Sequence, residues 1–288
     1  MRAERNSRNS RLFKENSIAK EPVKKPAPSL EKNREVIPYF VNAMGRPLES
    51  LGDNALELAL RLGNVVDWEF EECLPDLDLS SNDVFELACR VGEGIVNKYP
   101  GATVLCQSDW GFTIALASYL AAHGAHPVYA KQFSYDSPYY KERELESYVE
   151  YKFPKIGRGK KFRKYSPDHV LLNLTNHPKE KWFDRSMFLG YGFRRTINAG
   201  SSSILSTENA DEDRATYEAF AYYIAQNADA SDAVVTGEWS YVAAVVPILI
   251  EAGICPLYPI MYYNDRYYPD GRPIKAFYKY RQYRIYRG

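Results

Sequence analysis

The stretch VLCQSDWGFTIALASYLAAHGAHPVYA (Val104–Ala130) recurs as AVVTGEWSYVAAVVPILIEAGICPLYP (Ala233–Pro259). A single offset of 129 residues aligns the two without a gap. It pairs Asp109 with Glu238, Trp110 with Trp239, Phe112 with Tyr241, Gly124 with Gly253, Pro127 with Pro256 and Tyr129 with Tyr258. Each copy reads as a strand, a sharp polar turn, an apolar helix, a glycine stop and a second strand. Repetition on this scale decides the fold before any local reading does. The chain is therefore expected to hold two related α/β units in tandem.

Outward from the first copy, EVIPYFVNAMG (Glu35–Gly45) reads as a strand and SLGDNALELALRLG (Ser50–Gly63) as a helix capped by Asp53. VVDWEF (Val65–Phe70) is a predicted strand, and VFELACRVGEGIVNKY (Val84–Tyr99) a predicted helix with Ser81 or Asp83 as its cap. Beyond the polar KQFSYDSPYYKERELES, the alternation in YVEYKFPKIGRGKKFRKY (Tyr148–Tyr165) predicts an edge strand, and its basic run GRGKKFRK reads as a solvated linker or, interleaved with Phe and Tyr, as a segment able to contact phosphates and bases.

The second unit repeats the plan. HVLLNLTNHP (His169–Pro178) and RRTINA are strands separated by the helical or turn-forming KEKWFDRSMFLGYG. STENADEDRATYEAFAYYIAQNA is a helix with acids in its first turn. YPDGRPIKAFYKYRQYRIY (Tyr268–Tyr286) is a turn at Asp270-Gly271 followed by a long alternating strand. Strands that alternate with helices imply mostly parallel sheets flanked by helices. The expected fold class is thus α/β, with two Rossmann-like units at 36–165 and 166–288, each ending in an edge strand or hairpin.

Composition narrows the function classes. The chain has 288 residues, 45% apolar and 26% charged, which is ordinary for a globular protein with a sizeable core. Its formal net charge is zero, which argues against a broad cationic surface for duplex DNA or anionic membrane. Residues 1–35 are rich in charge, Ser, Asn and Pro and are expected to form a disordered basic tail. They contain no apolar core of a secretory signal, and no stretch approaches the roughly 18 apolar residues of a membrane helix. The four cysteines are scattered without a CxxC pair, so reduced thiols in a cytoplasmic protein are expected, with no metal and no cofactor. The sequence also lacks a P-loop, GxGxxG, HExxH and GxSxG.

Ligands of parallel α/β sheets gather at the carboxyl ends of the strands, where helix N-termini also point. Four segments are expected there: VNAMG (Val41–Gly45), QSDWG (Gln107–Gly111), LTNHP (Leu174–Pro178) and TGEWS (Thr236–Ser240). Trp110 and Trp239 have the chemistry to stack on bases. Asp109 and Glu238 suit ribose hydroxyls or an adenine amino edge rather than phosphate. Ser108, Thr236 and Ser240, with Asn42, Gln107 and Gly237, complete the expected binding set. His177 is the one histidine at such a strand end, able to donate to a phosphate or act as acid or base. Each also has a purely structural reading. A repeated turn Trp can close a helix onto its sheet, an acid can complement a helix dipole, and Asn176 can bond its own backbone before Pro178.

The second unit resembles the CRISPR-associated Rossmann-fold (CARF-like) and ring-nuclease families. The likeness lies in Asn173–Pro178, similar to a first-strand N-x-[ST]-x-H-P pattern, and in the polar turn Thr236–Ser240. The resemblance implies an antiviral role and a cyclic oligoadenylate ligand held between two paired units. It also implies metal-independent attack of a ribose 2′-OH on the adjacent phosphate, with His177, Asn176 and Thr175 as catalytic residues. The first unit departs from the pattern, with VNAMG in place of LTNHP, so chemistry is expected in the second unit alone. Two other readings stand beside it: a non-catalytic sensor or sponge for nucleotide signals, and an interaction protein whose Tyr-rich edge strands pair with partners.

Overall fold

The computed structural model describes residues 38–76, 78–132, 145–154, 170–175, 195–199, 210–228, 230–264 and 277–287. The first half runs β1 (Tyr39–Asn42), α1 (Ala55–Leu60), β2 (Asn64–Asp67), α2 (Ser81–Lys98), β3 (Thr103–Leu105), α3 (Trp110–Ala122), β4 (His126–Gln132) and β5 (Leu145–Glu150). The second runs β6 (Val170–Leu174), β7 (Arg195–Asn198), α4 (Ala210–Asn227), β8 (Asp232–Val235), α5 (Trp239–Ala252), β9 (Cys255–Asn264) and β10 (Phe277–Ile285).

The strand order is β2-β1-β3-β4-β5 in one sheet and β7-β6-β8-β9-β10 in the other, the same path twice. Every neighbouring pair is parallel except β4–β5 and β9–β10, which close the sheets as antiparallel ribbons. This is the expected α/β class with two mostly parallel Rossmann-like sheets.

Packing follows from the apolar pattern of each helix. On α2, Val84, Ala88, Val91 and Ile95 form one buried stripe while the opposite face carries Glu86, Arg90 and Glu93. Its start is fixed by a capping box: Ser80 accepts from the Asp83 backbone N–H, and the Asp83 carboxylate accepts from the Ser80 backbone. By contrast, α3 is buried continuously from Gly111 to Ala117 and α5 from Tyr241 to Val246. A helix apolar all round must be covered all round. Accordingly one continuous core joins both halves, with Val41, Val104 and Phe112 in the same cluster as Leu172, Val235 and Tyr241. A second cluster, with Phe40, Met44, Leu51, Ala55 and Leu105, fills the outer face of the first sheet under α1.

The repeat pairs sit in matching places. Asp109 and Glu238 are the N-caps of α3 and α5. Gly124 (φ 80°) and Gly253 (φ 77°) end these helices in the left-handed region that favours glycine.

Local differences from expectation have physical causes. Asp53 does not cap a helix spanning Ser50–Gly63. Leu48–Leu51 is a 3-10 turn, and α1 begins at Ala55 after Asn54. The Asn54 side chain is used elsewhere, donating to the Leu145 carbonyl (2.7 Å) and accepting from the Leu145 N–H (3.0 Å), which pins the start of β5. The second strand stops at Asp67, because Phe70–Cys73 turns into a 3-10 helix that buries Cys73. The α2 cap is Ser80, one residue before Ser81. The basic tail, the GRGKKFRK run, the KEKWFDRSMFLGYG region and the Asp270-Gly271 turn lie outside the described residues.

Candidate functional site: the junction of two polar turns

Each turn grows from the carboxyl end of a central parallel strand. After β3, Cys106 N–H still donates to the Val128 carbonyl (2.9 Å), and Gln107 Oε1 accepts from Ala130 N–H (3.1 Å). Ser108 is held at both ends: its N–H donates to Thr113 Oγ1 (2.8 Å) and its Oγ to the Cys73 carbonyl (2.6 Å). Asp109 then caps α3, with Oδ1 accepting from Gly111 N–H (3.0 Å) and Phe112 N–H (3.1 Å). After β8, Thr236 and Gly237 lead to Glu238, whose Oε2 accepts from Tyr241 N–H (3.3 Å) and from Ser240 Oγ. Gln107 to Trp110 and Thr236 to Ser240 are all half-buried.

The two turns meet. The Trp110 and Trp239 rings lie with centroids 4.1 Å apart and planes inclined by 33°. Around this pair the contacts cross between halves. Tyr258 of β9 donates its hydroxyl to Asp109 Oδ1 (3.0 Å), and the Tyr129 hydroxyl of β4 lies close enough to the Glu238 carboxylate and Ser240 to feel both. Because Tyr129 and Tyr258 are equivalent in the repeat, as are Asp109 and Glu238, each half's tyrosine engages the other half's helix cap. One difference breaks the equivalence. A Cβ on Gly111 would lie 2.3 Å from the Tyr258 hydroxyl oxygen and 2.7 Å from its ring, whereas the matching position in the second half is Ser240.

Behind the caps stands a layer of buried tyrosines. Tyr151 O–H donates to the Cys106 carbonyl (2.8 Å) and Tyr286 O–H to the Val235 carbonyl (2.9 Å), so each closes the end of a central strand. Tyr151 packs on Tyr129 at 5.1 Å and Tyr286 on Tyr258 at 4.7 Å. Burial pushes the Tyr129, Tyr151 and Tyr286 phenols above the ordinary value near 10.0. For Tyr129 the neighbouring Glu238 carboxylate adds to that shift.

At the ends of β1 and β6 the structure redraws the expected correspondence. Asn42, fully buried, donates to Asp67 Oδ1 (2.8 Å) and the Arg46 carbonyl (2.9 Å), and accepts from Met44 N–H (3.2 Å). Asn173 does the same work in the second sheet, donating to Asn198 Oδ1 (2.9 Å) and accepting from Thr175 N–H (3.1 Å). The counterpart of Asn42 is therefore Asn173, and VNAMG aligns with LNLTN rather than with LTNHP. Thr175 is buried, with its Oγ1 donating to Asn173 Oδ1 (2.8 Å). Asn176 and His177 lie outside the described residues.

The residues that sequence reasoning left without a role are Tyr129, Tyr258, Tyr151, Tyr286 and Asn173. The first two carried a signal, since they fall on the same 129-residue offset; Tyr151 and Tyr286 fall on an offset of 135. Among the described residues no group of three or more His, Cys, Asp or Glu side chains converges to hold a metal ion. No described helix is long and apolar enough to cross a membrane.

No protein-family model matches this sequence, and no curated protein does. Among solved structures the chain is similar to Cap4 of Acinetobacter baumannii, a SAVED/CARF-domain-containing receptor. Against that receptor with the cyclic trinucleotide 3′3′3′-cAAA, the TM-score is 0.40 at 12% identity, covering 85% of this chain and 53% of that one. With 2′3′3′-cAAA the values are 0.37 and 10%, covering 82% and 49%. The chain thus spans about half the length of these receptors.

Proposed function

We propose that this protein binds a cyclic oligonucleotide messenger at the junction of its two halves, and that the halves, 36–165 and 166–288, are duplicated copies of one unit. The observation that carries this reading is the meeting of the two polar turns through Trp110 and Trp239. A cyclic oligonucleotide repeats the same base, sugar and phosphate around a ring. A junction built from two like turns offers like contacts to successive nucleotides.

Roles divide by exposure. Trp110 and Trp239 cover one another on their facing sides and offer their remaining half-buried surface for base stacking, about 1–3 kcal/mol per base. Gln107, Thr236 and Gly237 are the half-buried polar groups available to sugar and phosphate, whereas Ser108 and Ser240, whose hydroxyls already donate to the Cys73 carbonyl and to Glu238, are left to accept from sugar hydroxyls. Asn42 and Thr175 are buried and act by holding the strand ends. Asp109 and Glu238, engaged by the tyrosines of the opposite half, set the spacing of the turns. Ring opening by 2′-OH attack would draw on Asn176 and His177, which follow β6 directly in sequence.

The test is calorimetric titration with cyclic tri-, tetra- and hexa-adenylate, with linear oligoadenylate as control and product analysis by chromatography. The reading expects saturable binding of at least one ring in preference to its linear form. Bound ring recovered intact assigns a sensor or sponge; linear product assigns a ring nuclease. No binding of any ring defeats the proposal and leaves the edge-strand interaction protein.

A further inference from the structure

The hydrogen bonds of the first turn fix the polarity of two consecutive side chains. Gln107 Oε1 accepts from Ala130 N–H (3.1 Å). A backbone N–H can only donate, so the carboxamide oxygen must face β4, and the nitrogen with its two N–H groups is turned away from that contact. Among the described residues no acceptor engages Gln107 Nε2. Ser108 is fixed in the opposite sense. Its N–H donates to Thr113 Oγ1 (2.8 Å) and its hydroxyl to the Cys73 carbonyl (2.6 Å), so both of its donors are engaged. The lone pairs of Ser108 Oγ remain, and they can only accept. Thr113 and Cys73 are both fully buried, so packing holds these partners in place.

The turn therefore carries a group that can only donate and a group that can only accept on neighbouring residues, both half-buried. Groups of fixed polarity select by rejection as well as attraction, because a mismatched or missing partner leaves them unpaired. Phosphate oxygens only accept, which suits Gln107 and opposes Ser108. A ribose 2′-hydroxyl can donate, which suits Ser108, and it is the group by which a protein tells RNA from DNA. In a 3′-linked ribonucleotide the phosphodiester and this hydroxyl sit on adjacent carbons of one sugar. The second turn lacks the arrangement. On the 129-residue offset Thr236 stands for Gln107, Gly237 for Ser108 and Val242 for Thr113. Gly237 has no side chain, Val242 offers no oxygen, and a threonine hydroxyl serves as donor or acceptor alike.

We infer that the first turn is a ribonucleotide reader: Gln107 Nε2 donates to a phosphodiester oxygen and Ser108 Oγ accepts from the neighbouring 2′-hydroxyl, so the junction takes a ribonucleotide ring and refuses its deoxy counterpart. This rests on the proposed cyclic-oligonucleotide reading and assigns its sugar selectivity to one half of the chain.

The experiment is calorimetric titration of the wild-type protein with the best-binding cyclic oligoadenylate, with the same ring made from 2′-deoxyadenylate, and with its 2′-O-methyl form, which keeps the oxygen and removes the donor. The titrations are repeated with Gln107→Glu and Ser108→Ala, and thermal melting of each variant controls for folding. Wild type is expected to bind both modified rings about ten-fold more weakly than the ribo ring, the effect of one lost hydrogen bond. Gln107→Glu keeps an oxygen for Ala130 N–H and turns an acceptor toward the ligand. It should bind the ribo ring more than about ten-fold more weakly, with a loss that shrinks as salt screens the new charge, and it should keep the ribo-to-deoxy ratio. In Ser108→Ala that ratio should fall to about one. Should Ser108→Ala melt early, the three rings on wild type still decide the matter. Equal binding of all three rings by wild type would overturn the Ser108 assignment, and wild-type affinity in Gln107→Glu would overturn that of Gln107, both leaving the ligand reading intact. A wild-type protein that binds no ring would remove the ligand reading and the sugar reading with it.

Discussion

The Tyr258 hydroxyl donates to Oδ1 of Asp109 at 3.0 Å, joining a strand of the second sheet to the helix cap of the first half. That carboxylate oxygen also accepts from Gly111 and Phe112 N–H, so one acid both starts α3 and fastens the opposite half. Tyr129 reaches Glu238 in the reverse direction. The halves are therefore coupled by a reciprocal pair of tyrosine–carboxylate contacts set around the Trp110–Trp239 pair.

Tyr258→Phe removes a buried hydrogen bond to a charged acceptor, a contribution of about 1.5–3 kcal/mol. Urea denaturation should show a loss in that range, in a single transition, because both halves share one core. Asp109→Ala should cost more, since it also removes a cap worth about 0.5–2 kcal/mol. The double variant should fall short of the sum, as expected for residues in contact. Additive losses, or separate unfolding of the two halves, would contradict the coupling.

Gly111→Ala places a methyl 2.3 Å from the Tyr258 hydroxyl oxygen, beside a ring that is itself buried. Over-packing of this kind costs about 1–3 kcal/mol. Adding Tyr258→Phe should recover part of the loss, because the hydroxyl is the nearest atom. Denaturation midpoints of the two single variants and the double variant read this directly.

Trp110 and Trp239, with ring centroids 4.1 Å apart, should give an exciton couplet in the far-ultraviolet circular dichroism. Replacing either ring, as in Trp110→Phe or Trp239→Phe, should abolish it. Persistence in both variants would place the rings apart in solution.

Alkaline pH should destabilise the fold. Burial pushes the Cys73 thiol up to about 12 from an ordinary value near 9.0, and holds Cys106, Tyr151 and Tyr286 well above theirs. These groups stay protonated when folded and ionise when unfolded. The unfolded state then binds fewer protons, so stability is full below the ordinary thiol value and falls as pH rises from about 9 toward about 12. Urea midpoints taken from about pH 8 to about pH 11 should decline steadily, and Cys73 and Cys106 should resist alkylation until the protein unfolds. A flat profile would contradict the burial of these groups.

Much of this was legible in the sequence because repetition carries information that single motifs do not. The 129-residue offset placed Asp109 and Glu238 at equivalent helix starts, where the structure makes them N-caps, Gly124 and Gly253 as equivalent stops, and Trp110 and Trp239 at equivalent turns. Strand–helix alternation likewise yielded the parallel sheets and their antiparallel edges. What could not be read is long-range pairing. Nothing local tells that Tyr258 bonds a residue 149 positions earlier, or that the two Trp rings lie against each other. The Asn42 correspondence was misplaced for a related reason. Both strand ends hold several polar residues, and only the side-chain bonds to Asp67 and Asn198 fix which asparagine matches which. Asp53 looked like a cap by type, yet tertiary packing set α1 later and gave Asn54 to β5.

The most direct test of the account is titration of the wild-type protein with cyclic tri-adenylate while following the Trp110–Trp239 couplet, alongside calorimetry on the same samples. The account predicts a saturable change in the couplet whose midpoint matches the calorimetric affinity, because the ring binds at the turns that bear the two tryptophans. Saturating, calorimetrically proven binding that leaves the couplet unchanged would place the ligand elsewhere. No binding of any cyclic oligoadenylate would contradict the proposed function itself.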